Sequence, residues 1–243
     1  MVDALGDSAR QVRIAAADAL TKVRERATVD LLIERLSKES GSNAHFVADC
    51  LAHLTGVNLG ADVAVWQSWW KEIRPDFKCP PPPKKRSRPQ RVGTATSYYN
   101  IPIRSDAIVF LIDLSGSMSA EVKGGETRLE AAKRALIKVL ESFDKTKRFT
   151  MIGFGTDLHP YGDTLVRATP KAIKDAVQWV ARLGLRGGTN IFDALEMALR
   201  IEGVESVFLL TDGSPSVGRI TDMTEIRKTV QRENEILRIR IHT

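Results

Sequence analysis

AIVFLIDLSGSMS, residues 107–119, runs from a continuous apolar, β-forming segment into one acid and two serines at alternate positions. An apolar run without alternation marks a strand buried on both faces, as in a parallel sheet covered by helices. Ending that strand in Asp113, Ser115 and Ser117 gives up packing surface unless the oxygens hold something. The stretch sets two expectations: a parallel α/β sheet, and an oxygen-rich site at a strand end.

The surrounding residues extend both. TRLEAAKRALIKVLESF (127–143), PKAIKDAVQWVARL (170–183), NIFDALEMALR (190–200) and MTEIRKTVQRENEIL (223–237) read as helices, with Pro170 in a first turn. RFTMIGFG (148–155), SVFLLTD (206–212) and RIRIH (238–242) read as strands. Strand–helix alternation predicts an α/β fold, a doubly wound, mostly parallel, Rossmann-like sheet. Ligands of such sheets sit beyond the carboxyl ends of the strands, near the switch point. There the chain delivers Asp113, Ser115 and Ser117, then Thr211, Asp212 and Gly213, with Gly187, Gly188 and Thr189 in a turn before a helix. Two carboxylates and three hydroxyls are hard oxygen donors, with no His or Cys among them. They suit Mg2+ or Mn2+ and suit zinc poorly. The same residue types also cap helices and turns, as Ser117 and Thr189 could each do alone. Five of them at strand ends favour an ion, and few protein charges on it leave room for an incoming carboxylate.

Asp113-x-Ser115-x-Ser117, Thr189 in GGTN and Asp212 in TDG resemble the complete metal-ion-dependent adhesion site of von Willebrand factor A domains. RFTMIGFGT resembles that family's second strand. The resemblance implies a metal set of Asp113, Ser115, Ser117, Thr189 and Asp212, with Mg2+ (or Mn2+) as the cofactor. It implies that Ser115, Ser117 and often Thr189 bind the ion directly, and that Asp113 and Asp212 act mostly through water. The function it implies is a non-enzymatic, Mg2+-dependent protein–protein interaction, with a partner's Asp or Glu carboxylate taking the open metal position. The family's last strand and C-terminal helices have no counterpart before Thr243, so the domain over 105–243 reads as C-terminally incomplete. A helix-shift readout of the metal is therefore not expected.

Other groups carry weaker readings. Asp157, His159 and Asp163 in GFGTDLHPYGD (153–163) are a lesser candidate for a second metal site, on a loop or edge hairpin. His45 and His53 read as packed or solvated, and Asp193 and Glu196 as surface or cap residues. No catalytic residue is expected: metal-assisted hydrolysis needs a poised general base, and none lies in the matched motifs. A chelatase or ATPase accessory role would need a partner, since no GxxxxGK[ST] loop is present.

Residues 1–77 read as helical. QVRIAAADALTKV, ATVDLLIERLSKES and NAHFVADCLAHLTG each carry helical apolar spacing, the last closed by Gly56. AADAL at 16–20 aligns with VADCL at 47–51, an offset of 31 residues that resembles short HEAT-like repeats and implies a second interaction surface. DVAVWQSWWKEI sets Trp66, Trp69 and Trp70 on one helical face, read as a helix docked by aromatics onto the last repeat. Residues 78–104, with CPPPPKKRSRPQR, read as a Pro-rich basic linker in extended conformation.

The chain has 243 residues and a formal net charge of +6, concentrated in that linker. A basic chain keeps an acidic partner in view. The alternative function is therefore RNA binding, because Ro ribonucleoproteins resemble this HEAT plus metal-site architecture. Their helical ring is much larger, and their RNA-binding motifs have no counterpart here. Cys50 and Cys79 form neither a disulfide framework nor a metal pattern. No apolar signal core or spanning segment occurs, so the expectation is no transmembrane segment and a cytoplasmic, bacterial protein.

Overall fold

The computed structural model describes residues 2–81, 96–122 and 124–243. The chain divides into two compact units, Met1–Thr94 and Ala95–Thr243. Lys84, Lys85, Arg86, Arg88 and Arg91 of the basic linker lie outside the described residues, as does most of the Pro-rich linker.

Four helices build the first unit: α1 (Arg10–Leu20), α2 (Arg26–Leu36), α3 (Gly41–Thr55) and α4 (Val63–Ile73). Positions 31 residues apart are buried alike in α1 and α3: Ala16 and Val47, Ala17 and Ala48, Leu20 and Leu51. Both faces meet Val29, Leu32, Ile33 and Leu36 of α2 in one core. The left-handed Gly56 ends α3, and Asp62 caps α4 by accepting from Ala64 N–H. Trp66 is fully buried, and Trp70 packs edge-on against Phe77. Burying each large apolar side chain contributes roughly 2–3 kcal/mol. Glu39 is held between Arg13 (2.7 Å) and Arg35 (2.9 Å).

The second unit opens with a hairpin, β1 (Ser97–Tyr98) and β2 (Ile101–Pro102). It lies inside the stretch read from sequence as linker. Tyr99 and Asn100 both take positive φ, 46° and 63°, as a tight hairpin turn requires. Tyr98 is buried edge-on to Phe110 and Phe208, which attaches the hairpin to the sheet core.

The sheet follows: β3 (Ala107–Asp113), α5 (Arg128–Glu141), β4 (Arg148–Phe154), β5 (Leu158–Pro160), β6 (Val166–Arg167), α6 (Pro170–Arg182), α7 (Ile191–Arg200), β7 (Ser206–Leu210), α8 (Met223–Leu237) and β8 (Arg240–His242). Strand order is β5-β4-β3-β7-β8, with β6 also paired to β4. β4 and β7 flank β3 in parallel, and β8 runs parallel to β7. The short β5 and β6 are antiparallel to β4. This is the expected doubly wound, mostly parallel sheet.

Its construction explains the apolar run. Ile108, Phe110 and Ile112 enter the core beneath α5 and α6, while Val109 and Leu111 enter the core beneath α7 and α8. Both faces of β3 are buried, so no position is left for alternation. The chain leaves β3 to one side for β4 and returns on the other side as β7. The switch point is therefore the crevice at the carboxyl ends of β3 and β7. Caps place the helix starts around it: Thr127 and Glu130 form a capping box on α5, and Asn190 and Asp222 cap α7 and α8.

Candidate metal centre

Three segments converge at that crevice. The first follows β3. Asp113 is fully buried, and its carboxylate accepts from Ser115 N–H (2.7 Å) and from the Thr211 hydroxyl (2.6 Å). A 3₁₀ turn over Gly116–Ser119 turns Ser117 back toward Ser115, with 3.0 Å between the hydroxyl oxygens. The second segment follows β7. Ser117 Oγ donates to Asp212 Oδ1 (2.7 Å), and Arg128 from the start of α5 donates to Asp212 Oδ2.

The third is the glycine turn ahead of α7. Gly187 has φ +80°, and a Cβ there would stand 2.7 Å from Thr156 Oγ1, so glycine is required on both counts. Thr156 Oγ1 accepts from Gly188 N–H at 2.9 Å, and Gly116 N–H donates to Gly187 O at 2.8 Å. The turn is thereby tied to the segment after β3. Thr189 is then fixed by a reciprocal pair: its N–H donates to Ser216 Oγ (2.9 Å), and Ser216 N–H donates to its carbonyl (3.0 Å).

All five expected donors therefore border one space. Asp113, Ser115, Ser117 and Asp212 are linked through hydrogen bonds among themselves and with Thr211. Thr189 joins them across Gly213, where a Cβ would lie 3.7 Å from both Ser117 Oγ and Thr189 Oγ1. Glycine leaves that gap open.

The electrostatics fit a cation. Asp113 is a buried carboxylate with neutral donors only, and among the described residues it has no ion-pair partner. Burying a charge without a counter-charge is costly. A dication among Ser115, Ser117, Thr189, Asp113 and Asp212 would supply the missing charge, and the donors are the hard oxygens that Mg2+ favours.

The other expectations fare differently. Leu158–Pro160 is an edge strand, and His159 stacks on Trp179 at 5.4 Å, where burial lowers its pKa. Among the described residues no group of three His, Cys, Asp or Glu side chains could hold a metal, so Asp157, His159 and Asp163 form no second site. Asp193 and Glu196 are more than surface residues: both accept from Arg219, Asp193 at 2.8 Å. A depression of about 490 Å3 lined by Leu158, Asp193, Glu196, Met197, Ile201 and Arg219 contains none of the five donors. Among the described residues no helix is long and apolar enough to cross a membrane. Residues missed from sequence are Arg128, Thr156, Ser216 and Arg219. Their only signal is polarity beside the motifs, in loops for Thr156, Ser216 and Arg219 and at the first position of α5 for Arg128.

Residues 106–243 match the sequence pattern described as von Willebrand factor type A domain. Inter alpha-trypsin inhibitor, heavy chain 4, of Mus musculus is 31% identical over 144 residues, covering 54% of this chain and 14% of that protein. The von Willebrand factor A domain-containing protein 3A of Homo sapiens is 29% identical over 137 residues, covering 56% and 11%. Among solved structures, the von Willebrand factor type A from Catenulispora acidiphila aligns with a TM-score of 0.44 at 25% identity, over 55% of this chain and 32% of that one. The chain spans a small fraction of the length of either curated relative.

Proposed function

From a chain that belongs to the von Willebrand factor type A domain family, we propose a non-enzymatic protein-binding module whose metal-ion-dependent adhesion site uses Mg2+ to capture an acidic side chain of a protein partner. The observation that carries this reading is Asp113, a fully buried carboxylate facing neutral donors in a crevice bordered by three further hydroxyls. Ser115, Ser117 and Thr189 would hold the ion directly, and Asp113 and Asp212 would balance its charge through water. The bound ion supplies a Lewis-acidic position that a carboxylate can fill.

The chain's own residues do the rest. Thr211 and Ser115 N–H hold Asp113 in one orientation. Gly213 keeps the space between Ser117 and Thr189 free of side chain. Arg128, exposed at the rim, adds positive charge on the side from which an acidic partner approaches. Both carboxylates are engaged in orienting bonds, which supports binding over general-base chemistry. The helices α1–α4 are assigned the role of a second interaction surface, built from HEAT-like repeats.

Titration calorimetry with Mg2+ and Mn2+ tests the ion. One site per chain, lost in Asp113→Ala, is the expected result, and equal affinity in both proteins would sink the assignment. The partner chemistry is tested next with paired peptides differing by one Asp→Asn change. Binding of the Asp peptide alone, abolished by EDTA, is expected.

A further inference from the structure

Arg219 lies outside the donor set, yet it ties together the two segments that carry Thr189 and Asp212. Its Nε donates to Asp193 Oδ1 at 2.8 Å, a second nitrogen donates to Glu196 Oε2, and its guanidinium carbon lies 5.1 Å from the centre of the Phe192 ring. Asp193 and Glu196 stand three apart, on one face of α7. Arg219 thus staples the loop after β7 onto the first two turns of α7.

Two routes run from this staple to Thr189. One passes through side chains: Asp193 Oδ2 accepts from Asn190 Nδ2 at 2.9 Å, and Asn190 caps α7 immediately after Thr189. The other passes through the loop backbone to Ser216, whose hydroxyl and N–H grip both sides of Thr189. The loop fits only because Gly218 takes φ +105°, and a Cβ there would stand 2.1 Å from Asn190 Oδ1. Gly213, Ser214, Pro215 and Ser216 carry no large apolar side chain, and the loop's apolar packing is left to Val217, beside Gly188, and Ile220. A loop with few buried apolar contacts opens locally unless it is pinned.

We propose that Arg219 is a positioning residue of the metal site, holding the loop of residues 211–220 against α7 so that Thr189 presents its hydroxyl to the ion. This role rests on the reading of the site as an Mg2+ centre. Arg219 touches neither the ion nor the partner's carboxylate. Its effect passes through Asp193, Asn190 and Ser216, as the outer partners of metal ligands commonly act.

The test compares the whole chain with Arg219→Gln, Arg219→Lys and Lys147→Gln. Lys147 pairs with Asp106 (2.8 Å) at the amino end of β4, away from the crevice, and serves as the ion-pair control. Hydrogen exchange is followed at the Thr189 and Ser216 amides without metal, and Mg2+ affinity by calorimetry. In Arg219→Gln the two amides should exchange about tenfold faster and Mg2+ should bind about tenfold more weakly. Arg219→Lys should fall between, because a point charge cannot span both carboxylates. Lys147→Gln should leave Mg2+ affinity unchanged. Unaltered exchange in Arg219→Gln would overturn the staple, and faster exchange with unaltered Mg2+ affinity would overturn the positioning role. Absence of Mg2+ uptake by the unmodified chain would overturn the metal reading itself and this role with it; the exchange data would still report the staple separately.

Discussion

Ser117 Oγ donates to Asp212 Oδ1 over 2.7 Å, joining two strand ends that are 95 positions apart in the chain. The other oxygen of Asp212 is taken by Arg128. Asp212 is thus turned toward Ser117 while a fixed positive charge stands beside it. A cation beside a dication site repels the ion, and most strongly at low salt. Arg128→Ala should therefore bind Mg2+ about three- to tenfold more tightly at low ionic strength, with the gain shrinking in added KCl. Weaker binding would mean that Arg128 orients Asp212 more than it opposes the ion.

Asp113 predicts a change of sign. Asp113→Asn keeps the shape and removes the buried charge. The Thr211 hydroxyl can then accept from the new amide and donate to Gly213 O, which lies 3.3 Å away. Without Mg2+ the variant should melt as high as the parent or a few degrees higher, since removing an uncompensated buried charge is stabilising. With saturating Mg2+ the parent should melt higher, because only it gains stability from the ion. Melting curves with and without metal decide this, and a variant that is less stable in EDTA contradicts the electrostatic account.

Gly213 separates space from fold. A methyl there meets both hydroxyls at 3.7 Å, an ordinary contact, so Gly213→Ala should cost under about 1 kcal/mol in urea unfolding. It should nonetheless weaken Mg2+ binding, since it fills the gap between Ser117 and Thr189. Gly188→Ala provides the contrast. Its Cβ would stand 2.8 Å from Val217, and overpacking of that kind costs roughly 1–3 kcal/mol.

Glu39 contributes to the acid stability of the first unit. Burial alone would raise its pKa, but bonds from Arg13 and Asn43 and the charges of Arg13 and Arg35 leave it below the ordinary 4.5. A carboxylate depressed in the folded state stabilises fully above its unfolded pKa, and the contribution fades as pH falls through the folded value. Glu39→Gln should lose about 2 kcal/mol at pH 7, a buried-pair loss reduced by solvent screening. The difference from the parent should shrink as pH falls below 4.5 and through the lowered folded value. Denaturant titrations at pH 7, 5 and 3 measure it, and a pH-independent gap would show that packing, not charge, is lost.

Much of this was legible in the sequence because particular residues break the rule of their element. A strand as apolar as β3 has no packing reason to lead into Asp113, Ser115 and Ser117, so a cluster of oxygens at its end could be expected before any contact was known. Thr189 and Asp212 were legible for the same reason, at the ends of elements whose type the alternation had fixed. Arg219 was not. Its partners Asp193 and Glu196 sit 26 and 23 positions away, and which face of α7 meets the loop depends on helix placement that no local pattern encodes. The hairpin of residues 97–102 was hidden because Tyr98 looks like linker until Phe110 and Phe208 are beside it. Aromatic docking of this kind is decided by tertiary packing.

The pairing of β3 with both β4 and β7 also sets when the site can exist. Asp113 meets Thr211 across 98 positions, so the crevice closes only after β7 has docked. Pairings so distant in sequence are slow to form and add little to early folding. On the proposed metal reading, an ion would therefore meet its donors only in a chain that has already folded. Mg2+ would slow the escape from the native state and leave the rate of arrival nearly unchanged, making the metal a kinetic lock on the finished domain.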